Sequence, residues 1–354
     1  MSSELTPVRS YRREGLVGVA LLLGLALVGL YLVKWDPYFH KALRALATHS
    51  LGDPIVYDRS GSMPRPSLAS GVGYALTYFK AVWQAMLLGL LMATTIETFI
   101  PRDWLMRLLG SRGLRASALG ALLALPCMMC TCCVAPVVRG IRRRGASVGS
   151  ATAFFLGNPA LNPAVIVFML FVLGWRWALL RLVLGLALVL GSAAIAGRLA
   201  DSEQVDLDGV YDPQPTVGEG NPIQRWVRNF VSLLVKLVPE YVVIVLLLGA
   251  LRAYFFPDLQ GASVPWWGVI LLALLGTLFV IPTAGEVPIV QAMLAAGLGP
   301  APAAALLMTL APISLPSIAM VWTSFPRRVP LLLAALTCAW GVLAAAIAAA
   351  VMAT

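Results

Sequence analysis

The sequence predicts an all-α polytopic membrane protein. It is built as two inverted repeats, each three transmembrane helices plus a broken re-entrant hairpin, with one extra helix at the N-terminus. Three observations carry this expectation. Of 354 residues, 60% are hydrophobic and only 12% charged, against about 25% charged in soluble domains. Proline and glycine landmarks recur in register between the two halves of the chain. The basic clusters fit one membrane face only if two apolar stretches turn back on themselves. The composition excludes a cytosolic enzyme, a nucleic-acid-binding domain and a disordered protein. The net charge of +10 reads as the positive bias of cytoplasmic loops.

A helix needs roughly 20 apolar residues to cross a bilayer. The first candidate is 15–33, preceded by Arg9, Arg12 and Arg13, which place the N-terminus in the cytoplasm. Its length and the lack of a prompt cleavage site argue against a signal peptide. A polar loop follows over 34–70, with His40 and His49 as solvated residues. Further apolar stretches cover 72–100, 114–138, 148–173, 177–199, 229–256, 266–296, 301–324 and 328–353. The expected organisation is an N-terminal helix and external loop (1–70), a first repeat (71–199), a cytoplasmic linker (200–228) and a second repeat (229–354).

Pro136 and Pro288 are each followed nine residues later by glycine, Gly145 and Gly297. The proline pairs 159/163 and 312/316 share a spacing of four. Such duplication is a signature of secondary transporters. If 114–138 crossed the membrane fully, Arg139, Arg142, Arg143 and Arg144 would face outside, against the positive-inside rule. A turn between Pro126 and Pro136 keeps them inside, and a matching turn over Pro282–Pro288 completes the second half. The rival is nine full spans with parallel halves. Non-helical backbone at membrane depth is tolerated where protein buries it or a cavity solvates it.

The first turn reads Pro126-Cys127-Met128-Met129-Cys130-Thr131-Cys132-Cys133. Sulfur ligands suit Cu(I), Zn(II) and other thiophilic centres, which makes Cys127, Cys130, Cys132 and Cys133 candidate substrate and metal ligands. Cys338, alone on the last span, reads as a small hydrophobe. Asn158 and Asn162 share a helical face and each precedes a proline that frees a carbonyl. They either line a polar patch or hydrogen-bond between helices. Ser314 is a second-half counterpart, and Thr283 lies in the second turn. Glu286, beside Thr283, is a candidate for charge balance or proton coupling. Glu97 is a second coupling candidate or an interfacial residue. No nucleotide-binding or hydrolase motif occurs, so no enzyme and no cofactor are expected.

These strings resemble the predicted-permease family that includes bacterial organoarsenical efflux permeases. Cys130, Cys132 and Pro136 match its first motif, and Glu286-Val287-Pro288 its second. Cys127 and Cys133 are additional to the family's cysteine pair. The resemblance implies a permease of the bacterial inner membrane exporting a thiophilic solute, a trivalent organoarsenical or soft metal ion, by alternating access on an ion gradient. A membrane thiol redox carrier and an anion channel are the alternatives. The partners expected are that solute and the lipid bilayer, with no nucleic acid. Either a monomer or a homo-oligomer satisfies the pattern.

Overall fold

The computed structural model describes residues 17–58, 61–200, 221–256 and 264–352. Arg9, Arg12, Arg13 and the linker residues 201–220 lie outside the described residues. Those described are helical, with no strand among them. Six helices among them are long and apolar enough to cross a membrane. These are α1 (Val17–Thr48), α2 (Leu68–Phe99), the joined segment Val148–Val172, α8 (Trp175–Ala200), α9 (Pro222–Ala250) and α15 (Arg328–Val351).

The remaining elements are shorter. A surface helix α3 (Arg102–Leu109) precedes α4 (Leu114–Ala124) and α5 (Thr131–Arg143). The joined segment consists of α6 (Val148–Ala160) and α7 (Pro163–Val172). After α9 come the single turn α10 (Arg252–Phe255), α11 (Trp266–Leu278), α12 (Glu286–Ala295), α13 (Pro300–Thr309) and α14 (Leu315–Val321).

Several expected boundaries move. The first helix does not end at Val33 but runs to Thr48, through two π-helical turns at Leu25–Gly29 and Tyr31–Trp35. Pro37 sits near the start of the regular α-helical part, Asp36–Thr48, where a missing N–H costs little. His40 and His49 are therefore not residues of an open loop. His40 lies 3.5 Å from Asp36, and His49 Nδ1 lies 2.8 Å from the Phe171 carbonyl. The helix covering the expected apolar stretch 229–256 starts earlier, at Pro222, where Asn221 caps α9. The expected span 301–324 is split into α13 and α14.

The breaks are also shorter than the prolines suggested. Helix resumes at Thr131 and carries Pro136 inside it, and α12 begins at Glu286 with Pro288 in its first turn. In the first turn a proline removes an N–H that had no helical partner. The spaced pairs work in the same way: Pro163 opens α7 and Pro316 lies at the start of α14, each one turn past the helix-ending Pro159 or Pro312. Gly145 and Gly297 stop the returning arms at φ 95° and 91°. At both, the next residue's N–H bonds back five positions along the chain, Ala146 to Ile141 and Leu298 to Met293. This is the Schellman stop, whose left-handed residue favours glycine.

The contacts define directions. On α2, Gly89 faces the Cys133 carbonyl and Ala93 meets Gly140, so α5 runs parallel to α2. A side chain at Gly89 would collide with that carbonyl, so the close approach requires glycine. Ser117 meets Gly149 and Gly120 meets Ser150, so α4 runs parallel to α6. Ser147 N–H donates to the Leu109 carbonyl at 2.8 Å. The free ends of α4 and α5 thus share one end of the bundle. Gly276 meets Thr309, pairing α11 with α13 in the same parallel sense. At the far end of the bundle, Gln291 of α12 donates to the His49 carbonyl at 2.8 Å. Helices α2 and α9 run antiparallel, with Trp226 donating to Thr95 at 3.2 Å at one end and Gly71 against Leu246 at the other.

Candidate functional site

Two non-helical tips meet inside the bundle, Leu125–Cys130 between α4 and α5 and Phe279–Gly285 between α11 and α12. Each holds a non-glycine residue at positive φ, Met128 at 50° and Ala284 at 68°. Such backbone persists only where the surroundings impose it, and it clusters at functional sites. A small cavity lies between the tips, lined by Cys130, Pro159, Val165, Thr283, Glu286 and Ala311 among others. Its volume of about 10 Å³ has room for about one water.

The structure brings together most of the residues that the sequence singled out. Cys130 begins α5, and its thiol lies 2.6 Å from the Cys133 thiol one turn on. Cys132 points elsewhere and meets Ser314 Oγ at 3.5 Å, while Thr131 Oγ1 lies 3.4 Å from the same hydroxyl. Cys127 turns back to the Leu123 carbonyl at 3.4 Å. The four thiols therefore do not converge on one point: successive helical residues diverge by about 100° around the axis. No group of three or more Cys, His, Asp or Glu among the described residues could hold a metal ion. The geometry offers a Cys130–Cys133 pair rather than the expected four-thiol ligand set.

Asn158 ties α6 to the first tip, accepting from Met129 N–H at 3.3 Å and donating to the Phe154 carbonyl at 2.9 Å. Asn162 caps α7, its Oδ1 accepting from Ala164 and Val165 N–H at 3.1 and 3.3 Å. Its buried Nδ2 has no hydrogen-bond partner. Glu97 is not at this site. It pairs with Arg143 at 3.2 Å at the end of the bundle that holds the basic cluster.

Two buried cations at these tips were missed. Arg181 on α8 is fully buried and bridges the halves. Its guanidinium donates to the Pro159 and Ala160 carbonyls, each at 3.1 Å, and to the Leu307 carbonyl. It also lies 3.7 Å from Glu286. Pro163, lacking an N–H, leaves the Pro159 carbonyl open for this bond. Lys34 on α1, 5% exposed, donates to Tyr38 Oη at 3.0 Å and Thr283 Oγ1 at 3.4 Å. The neighbouring Trp35 Nε1 donates to the Pro126 carbonyl at 2.8 Å. Adjacent residues of one π turn thus touch both tips, and π turns recur at functional sites. An arginine inside the apolar stretch 177–199 was the available signal for the first. Lys34 was concealed by the Asp36-Pro37 pair, which mimics a helix end.

Long apolar helices around a small cavity, built where helices break, fit a multi-pass membrane transporter. The chain belongs to the family described as "Predicted permease", which matches residues 78–350. It is 44% identical over 334 residues to UPF0718 protein YraQ of Escherichia coli (strain K12), covering 93% of this chain and 94% of that protein. UPF0718 protein MJ0584 of Methanocaldococcus jannaschii is 24% identical over 304 residues, 66% of this chain and 82% of that protein. No solved structure matches the chain.

Proposed function

We propose that this permease exports a thiophilic solute across the bacterial inner membrane by alternating access, on an ion gradient. The observation that carries the reading is the meeting of the two tips at a cavity lined by Cys130, Thr283 and Glu286. Two adjacent thiols one helical turn apart suit a trivalent organoarsenical. An oxide R–As=O condenses with two thiols to form two As–S bonds and release one water. Asn158, Asn162 and Ser314 would frame the site, and Glu286 would balance charge or carry a proton. The test is a host lacking its own exporters, challenged with trivalent arsenicals, copper, zinc and sulfur oxyanions. Resistance confined to thiophilic members is the expected result, and no resistance to any of them would overturn the reading.

A thiol redox carrier is the second reading, because Cys130 and Cys133 have the C-x-x-C spacing at a helix start. Exporter and carrier separate on whether solute moves in vesicles without any change in thiol oxidation.

The same reading takes the tips as re-entrant hairpins opening to opposite faces, with the N-terminus cytoplasmic and the repeats inverted. The opposed directions of α2 and α9, and of the two tips, support it. Single cysteines at Ser111 and Ser147 are expected to label from the cytoplasmic face, and one at Ala296 from outside. Labelling of Ser111→Cys and Ser147→Cys from opposite faces would establish the nine-span rival instead.

A further inference from the structure

We propose that the site selects an anionic thiophile, a small molecule carrying both a sulfur-seeking centre and a negative charge, and that Lys34 sets this preference. The inference rests on the transport reading above and sharpens its substrate class. It comes from a residue outside the stretch that the family description matches, residues 78–350.

Lys34 is 5% exposed on a membrane-spanning helix. Its two hydrogen-bond partners, Tyr38 and Thr283, are neutral hydroxyls. No carboxylate among the described residues lies within ion-pair distance of it. An ammonium has three donors to place, and a buried cation without a counter-charge is costly. An arriving anion would relieve that cost.

The surrounding charge points the same way. Glu286 is the carboxylate lining the cavity, and Arg181 already faces it at 3.7 Å. Lys34 on Thr283 and Arg181 beside Glu286 set two cations against that one carboxylate, which leaves the site with a positive excess. Helix α5 also begins here, at Cys130, with no side chain capping its N-terminus, and that end of a helix favours negative charge. Thiols supply the softness: Lys34 bonds to Thr283, which lines the same cavity as Cys130. A bare soft cation would be attracted by sulfur and opposed by the excess of positive charge.

The test uses the purified full chain and two trivalent arsenicals that differ in charge, 4-carboxyphenylarsine oxide and phenylarsine oxide, with silver ion as a soft cation. The wild type is expected to bind the carboxylated probe about tenfold or more tighter than the neutral one. Lys34→Met should erase that preference while keeping the affinity for phenylarsine oxide, and Lys34→Arg should retain it. Silver binding should survive or tighten in Lys34→Met, which also reports that the variant is folded. Equal binding of the two arsenicals by the wild type, or equal weakening of both by Lys34→Met, would overturn the inference and leave the exporter intact. Failure of all three probes to bind would instead remove the thiophile reading itself.

Discussion

Replacing Arg181 with methionine is expected to destabilise the protein by about 3–5 kcal/mol, the cost of stripping one partner from a buried charge pair. Glu286, 1% exposed, would face the interior without its cation. The Pro159, Ala160 and Leu307 carbonyls would lose their donor as well. A shape-preserving methionine supplies none of these bonds. Glu286→Gln is a milder change, because Arg181 keeps its three carbonyls. It is expected to leave the fold intact and to slow transport with a flattened pH profile, if the carboxylate carries the coupling proton. Combining the two substitutions removes both charges together and should recover part of the stability lost in Arg181→Met. Thermal melts in mild detergent read all three variants. A wild-type melting temperature for Arg181→Met, or a double variant no better than it, would show that the pair does not hold the halves together.

Punctuation residues made much of this fold legible. Proline and glycine act through local backbone chemistry, so the breaks near Cys130 and Glu286 and the stops at Gly145 and Gly297 could be read without tertiary information. Their exact edges could not, because a proline in the first helical turn, as Pro288, or farther inside a helix, as Pro136, looks identical in sequence to one in a break. Pro136 and Pro288 were misplaced for that reason. The meeting of the breaks that hold Cys130 and Thr283 was readable from the proline and glycine landmarks, which put two breaks at matched positions. The cations were not. Arg181 acts across the halves, from α8 to carbonyls of α6 and α13, and no local pattern encodes such a reach. The extent of α1 was hidden because Asp36-Pro37 resembles an end signal, whereas π turns absorb the irregularity. Glu97 shows the same limit. Its stretch, Thr94-Thr95-Ile96-Glu97-Thr98, fits a coupling residue or an interfacial one equally well; its partner is Arg143, 46 positions away, and it belongs to the basic end of the bundle.

Cys130→Ser is expected to abolish transport of a thiophilic solute in a folded protein. Serine keeps the approximate size but loses the soft donor. The structure ranks the other cysteines by what each touches. Cys133 lies 2.6 Å from Cys130, so Cys133→Ser should come close to the same loss. Cys132 faces Ser314 rather than the pair, so Cys132→Ser should reduce transport several-fold at most, about 1 kcal/mol for a lost hydrogen bond. Cys127 turns toward the Leu123 carbonyl, and Cys338 is on α15; serine at either should transport as the wild type does. A spacing argument alone would have paired Cys130 with Cys132, so the order of these variants separates the two pairings. Transport in everted vesicles, at limiting and saturating solute, measures each rank. A loss at Cys132 equal to that at Cys130, with Cys133→Ser unaffected, would restore the closer-spaced pair. Undiminished transport by Cys130→Ser would move the solute away from the tips altogether. Thiol chemistry predicts one further distinction. If the pair binds solute by exchange, prior modification with a small alkylating reagent should block transport in the wild type. Solute added beforehand should protect it, because two As–S bonds occupy the same sulfurs.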